Sequence, residues 1–129
     1  MVRPIGIAPR SACEVPLSHA ASTAARRIAR AWGLCDVEVA SLLGIGQSDV
    51  ERFYAQTDSM LTPAARERVA VLIAIWEKLA SLFGAGPIAD GWVRRRNRDF
   101  DDRPPLERMV NGELDDLRAV LRYLSVLEP

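Results

Sequence analysis

Residues 36–55 read DVEVASLLGIGQSDVERFYA. Counted from Asp36 as position 1, Val39 is position 4, Ala40 position 5, Leu43 position 8, Gly44 position 9, Ile45 position 10, Val50 position 15 and Phe53 position 18. This spacing predicts two short helices crossing at a tight turn, a helix-turn-helix. Ala40 is small where the second helix crosses. Gly44 permits the positive φ of the turn. The remaining apolar positions fill the wedge between the helices. Asp36 is the expected N-cap of the first helix, and the second runs from about Gln47 to Ala55.

Upstream, residues 1–17 hold Pro4, Pro9 and Pro16 and no periodicity, which predicts a flexible arm. From Ser18 the pattern turns helical, with Ala21, Ala24, Ala25, Ile28, Ala31 and Trp32 on one stripe and Gly33 at its end. Residues 18–62 form the helix-turn-helix region. Downstream, Thr62-Pro63 opens a long helix with Thr as N-cap and Pro at the first helical position. Its stripe is Val69, Leu72, Ile73, Trp76, Leu79, Ala80 and Phe83, with Val71 and Ile75 beside it. That helix connects over residues 63–84. Residues 85–129 form a second, smaller helical unit whose last helix carries Leu114, Leu117, Leu121, Leu124 and Leu127. No strand-period alternation exceeds four residues, so the chain reads as all-α.

The composition is that of a folded protein, 49% hydrophobic and 26% charged over 129 residues. No apolar run is long enough to span a bilayer, and no signal peptide is read at the N-terminus, so a cytoplasmic location and no membrane contact are expected. Cys13 and Cys35 stand alone with a single His, His19, which leaves no zinc-ligand set. The acidic pairs Asp101-Asp102 and Asp115-Asp116 suit a solvated loop and a helix N-terminus better than a metal. Gly44-Ile45-Gly46 lacks the strand-to-helix context and Lys of a phosphate loop. No catalytic constellation, cofactor site or metal site is expected, and the chain does not read as an enzyme.

Net charge is zero but uneven. Residues 1–35 carry +4 and residues 36–58 carry −4. A helix-turn-helix places the start of its second helix in the major groove of DNA. Those residues are Gln47, Ser48, Asp49 and Arg52, with Arg26 and Arg30 available for the DNA backbone. Gln47 and Ser48 suit base edges and Arg52 suits guanine or phosphate. Asp49 and Glu51 suit neither. With no basic excess, any DNA binding is local and modest or needs more than one copy.

The densest charge lies in GWVRRRNRDFDDRPPLERM, residues 91–109. Arg94, Arg95, Arg96 and Arg98 are followed by Asp99, Asp101 and Asp102, then Arg103-Pro104-Pro105. The prolines force an extended segment. A helix carrying Trp92 should stop near Arg96, cross a polar loop and restart at Pro105. Such a loop is a surface for an outside partner.

Trp92-Val93, Asn97, Phe100, Arg103, Pro105-Leu106-Glu107, Asn111-Gly112 and a Leu-rich last helix resemble the toxin-binding domain of the Xre/MbcA/ParS antitoxins. That family's domain also follows an Xre-like helix-turn-helix. The resemblance implies a type II toxin–antitoxin system. It implies a homodimeric antitoxin that covers the NAD⁺ cleft of a cognate RES-domain toxin and represses its own operon by binding operator DNA. The toxin-facing residues it implies are Trp92, Asn97, Arg103, Pro105 and the last helix toward Glu128. The charged loop adds Arg94, Arg95 and Phe100. Three positions depart from the family pattern: Arg96 replaces a Pro, Asp102 a Gly, and Pro104 a Ser or Thr that would cap the next helix. The alternatives are a stand-alone helix-turn-helix transcriptional regulator and a scaffold protein without DNA binding.

Overall fold

A computed structural model describes residues 20–55 and 62–127. The predicted arm, Cys13, His19 and Glu128 lie outside the described residues. Helix α1 covers 20–31 and ends at Gly33, where φ is +64°. Helix α2 spans Asp36–Leu43. A 3-10 turn over Gln47–Asp49 leads into α3, Val50–Tyr54. The long α4 is Pro63–Phe83. Helix α5, Pro87–Gly91, continues into a 3-10 turn over Trp92–Arg94. A second 3-10 turn covers Arg98–Phe100, followed by α6, Pro105–Met109, and α7, Leu114–Leu127. The fold is all-α, as the periodicity indicates.

The helix-turn-helix forms for the reasons read from its spacing, with two local differences. Val39, Leu43, Val50 and Phe53 are buried, and Ala40 and Ile45 pack against them. Gly44 takes φ +67°, and both it and Ile45 donate their amides to the Ala40 carbonyl. The N-cap of α2 is Cys35, not Asp36, because Glu38 reaches back to accept from the Cys35 amide at 3.0 Å. The second helix divides into the 3-10 turn and α3 instead of running unbroken from Gln47.

Helix α4 organises the rest. Thr62 Oγ1 accepts from the Ala65 amide at 3.1 Å, and Pro63 follows at the first helical position. Ala65, Val69, Leu72, Ile75 and Leu79 are its buried residues. The stripe is therefore centred on Ile75, and Phe83 is 39% exposed. The shift follows from packing on two sides: α4 meets α2 on one face and packs most extensively on α7. In α7 the buried residues are Leu117, Val120 and Leu124, while Leu127 is exposed. Buried side chains from α1 to α7 form one continuous hydrophobic cluster.

That continuity has a measurable consequence. Leu79→Ala, at a site 1% exposed, is expected to lower stability by about 2–5 kcal/mol. Urea unfolding followed by tryptophan fluorescence and by helical circular dichroism should give one coincident transition in both wild type and variant. Two separated transitions would show that the halves have independent cores.

Candidate functional site

The charged stretch begins where the 3-10 turn at Trp92–Arg94 stops. Arg95 is extended, with φ −90° and ψ 139°, so the helical segment ends two residues before the expected Arg96. Arg94 is not a free surface charge. Its Nε donates to the Trp32 carbonyl at 2.8 Å, and its Nη2 donates to the Gly33 carbonyl at 2.8 Å and to Glu38 Oε1 at 2.9 Å. The helix α1 carbonyls at that elbow have no intrahelical partners, so a cation there satisfies them. Arg94 thus ties the charged loop to the start of the helix-turn-helix. Its side chain, expected as a toxin contact, also has a structural role, and 44% of it stays exposed.

Glu38 shares that junction. Burial raises its carboxyl pKa, but the Cys35 amide and the Arg94 guanidinium favour the ionised form and win, leaving it below its ordinary value of 4.5.

Arg68 of α4 makes a parallel link. It donates to the Ser41 carbonyl at 3.3 Å and to the Gly112 carbonyl at 2.5 Å. A Cβ on Gly44 would lie 2.9 Å from Arg68 Nε, so a substitution here would displace the Arg68 side chain as well as strain the positive φ.

Between Asn97 and Arg103 the chain closes on itself. These two residues form an antiparallel bridge, with the Asn97 amide donating to the Arg103 carbonyl at 3.2 Å. The Asn97 carbonyl accepts from the amides of Phe100 at 2.9 Å and Asp102 at 3.0 Å. Its side-chain oxygen accepts from the Asp99 amide at 2.9 Å. Asn97 therefore builds the loop from inside and offers little to a partner. Asp101 and Asp102 carry φ values of 57° and 65°. A left-handed conformation is tolerated better by Asp than by most residues but still costs stability. Asp102 occupies the position where the resembled family has Gly. Pro104 stands at the N-cap of α6 and makes no side-chain cap.

Beneath the loop lies an aromatic base. Trp92 packs on Phe100 and on Tyr123 with ring centroids 6.2 Å apart in each pair, and Phe100 meets Tyr123 at 5.0 Å. The Tyr123 hydroxyl donates to Asp99 Oδ2 at 2.6 Å, and that bond, with burial, pushes its pKa up. Trp92 and Pro105 are buried and support the surface without forming it. What faces outward is the half-buried Phe100, exposed Arg103 and Arg95, and a groove of about 320 Å³ between Asp99, Phe100, Arg103, Pro104, Glu107 and Asn111. Tyr123, Glu38 and Arg68 were not singled out by sequence. Tyr123 sits one position off the leucine pattern, and the other two reveal themselves only through partners distant in the chain.

On the helix-turn-helix, Gln47 and Ser48 are exposed and Asp49 is half-buried. Arg52 lies 3.9 Å from Asp49. Arg26, expected to reach a DNA backbone, is 4% exposed. It donates to the Phe53 carbonyl at 3.1 Å and to Thr23 Oγ1 at 3.2 Å, so it caps α3 from within the core. Arg30 lies over the Tyr54 ring at 5.5 Å. Among the described residues, no group of three or more His, Cys, Asp or Glu could hold a metal ion. No described helix is long and apolar enough to cross a membrane.

Comparison with known proteins bears on the same region. The family described as the antitoxin Xre/MbcA/ParS C-terminal toxin-binding domain matches residues 78–128, from the last turns of α4 onward. The chain is also 32% identical over 99 residues to "Uncharacterized protein y4oB" of Sinorhizobium fredii (strain NBRC 101917 / NGR234), covering 77% of each chain.

Two outcomes are expected from this geometry. Glu38→Gln should cost about 1 kcal/mol at neutral pH, given a charge-assisted bond at a partly exposed site. A depressed carboxyl stabilises above its unfolded pKa, so this cost should fade as the pH falls below 4.5 through the folded value. A cost independent of pH down to full protonation would remove the ionic link. Asp102→Gly should raise stability by about 1 kcal/mol by relieving the left-handed strain, read as a shift in the urea midpoint at constant slope.

Proposed function

Because the chain belongs to the Xre/MbcA/ParS antitoxin family, we propose that it neutralises a cognate RES-domain toxin by seating the loop of residues 97–104 over the toxin's NAD⁺ site. The chain acts as the antitoxin of a toxin–antitoxin pair, and binding needs no catalytic group. The observation that carries the reading is the build of the loop. Asn97 gathers three amides, the Trp92, Phe100 and Tyr123 rings support it from below, and Arg94 anchors its entrance. A preorganised loop loses little conformational freedom on binding, which favours affinity. Phe100, Arg103 and the adjoining groove are the toxin-facing groups, and Arg103 offers a largely exposed guanidinium only 3.9 Å from Glu107.

The helix-turn-helix gives the protein a second role as repressor of its own operon. Gln47 and Ser48 open the second helix at the position that meets base edges. A homodimer would double that contact and suit a two-fold operator.

Co-expression of the full chain with the product of the neighbouring reading frame, followed by size-exclusion chromatography and an NAD⁺ assay, tests the reading. The expected result is a stable complex in which NAD⁺ loss is suppressed, its mass giving the stoichiometry. Arg103→Glu should weaken the complex at least tenfold, or about 1.4 kcal/mol, with an unchanged unfolding midpoint. No complex, with NAD⁺ unaffected, would favour a stand-alone regulator.

A further inference from the structure

The helix-turn-helix of this chain is short of cations where a DNA backbone would lie. Residues 36–58 carry −4 net, with Asp36, Glu38, Asp49, Glu51 and Asp58 against Arg52. Of the arginines on α1, Arg26 is committed inside the core, while Arg27 and Arg30 are exposed, Arg30 lying over the Tyr54 ring. DNA affinity rests largely on neutralising phosphates, and an acidic face works against it. If this unit docks on DNA, charge must come from elsewhere in the molecule.

The structure places such a source beside it. Arg94 fixes the start of the arginine run to Trp32, Gly33 and Glu38, the elbow from which α2 begins. In a helix-turn-helix the first helix of the motif crosses the DNA backbone while the second enters the groove. Consecutive Cα atoms are about 3.8 Å apart, so Arg95 and Arg96 follow within one and two steps of the residue whose guanidinium holds that elbow. Arg95, Arg96 and Arg98 are all exposed, and none has an ion pair or hydrogen bond to its side chain among the described residues. Two of the acids in this region are already engaged, Glu38 by Arg94 and Asp99 by the Tyr123 hydroxyl, while Asp101 and Asp102 are exposed further along the loop. Planar guanidinium groups suit phosphate oxygens.

We propose that Arg95, Arg96 and Arg98 form a phosphate-contacting arm for duplex DNA, held beside the helix-turn-helix by the Arg94 anchor. The arm belongs to the C-terminal unit yet supplies the sequence-independent part of DNA binding, while Gln47 and Ser48 supply the base contacts. The proposal rests on the reading that the helix-turn-helix docks on DNA. It assigns these three arginines to nucleic acid and leaves Phe100, Arg103 and the groove to the toxin.

The test uses the full chain and two fluorescent duplexes, one from the region upstream of its own reading frame and one of random sequence of about 30 base pairs, titrated at several salt concentrations. The wild type is expected to bind both, the upstream duplex more tightly. Each phosphate contact contributes about 0.9 to the slope of log affinity against log salt. Replacing Arg95, Arg96 and Arg98 together by Gln should lower that slope by about 2–3 and weaken both duplexes at least tenfold. The corresponding triple Lys variant should retain most of the slope. Thermal unfolding midpoints of both variants should match the wild type, because these side chains have no partners to lose among the described residues. Wild-type binding with an unchanged slope in the triple Gln variant overturns the arm alone. Unchanged DNA binding together with lost toxin neutralisation overturns it in favour of a toxin contact. A wild type that binds neither duplex overturns the docking reading and the arm with it.

Discussion

Arg94 leaves a short 3-10 turn and ends on three oxygens that belong to residues about 60 positions earlier in the chain. Arg68 does the same from the middle of α4, reaching Ser41 on one side and Gly112 on the other. Five of the six groups they hold or approach are backbone carbonyls or the glycine of the turn, sites where a helix or loop ends without a hydrogen-bond partner. A guanidinium carries several fixed donors, so one side chain can satisfy several such ends at once. Hydrophobic contact between α4 and its neighbours would permit some sliding. Directional bonds to defined carbonyls do not, and the orientation of the two halves depends on them.

That constraint explains how the loop of residues 97–104, with its mixed charge, holds one shape. The loop contains two consecutive left-handed aspartates, which an isolated peptide would rarely adopt. It is over-determined from several sides: by Asn97 within, by the aromatic trio beneath, and by Arg94 at its entrance. Local strain persists where the surroundings enforce it, and such places are often binding surfaces. The chemistry on view fits binding.

The electrostatics of the two halves are complementary. The helix-turn-helix carries its acids at the helix starts, where they suit the dipole. The arginine run sits on the C-terminal unit, next to the elbow that joins α1 to α2. A chain of zero net charge can therefore present a local basic edge.

Much of this was legible in the sequence, because it depends on local periodicity and turn chemistry. The all-α class, the helix-turn-helix with Gly44 at its turn, the Thr62-Pro63 start of α4, the loop between Trp92 and Pro105, and the family resemblance all rest on neighbours within a few residues. The fates of individual charged side chains were not legible. Arg26 and Arg30 sit four apart on one helix, yet one enters the core and the other lies over an aromatic ring. Arg94 and Arg95 are adjacent, yet one is an internal tie and the other is exposed. Ile75 became a centre of the core because α4 is covered on two sides, which no single-helix stripe encodes. A side chain's partner is chosen by the packing of distant elements, so sequence alone determined which helices form and where they stop. Only the tertiary structure decided which arginines hold the protein together and which remain for its partners.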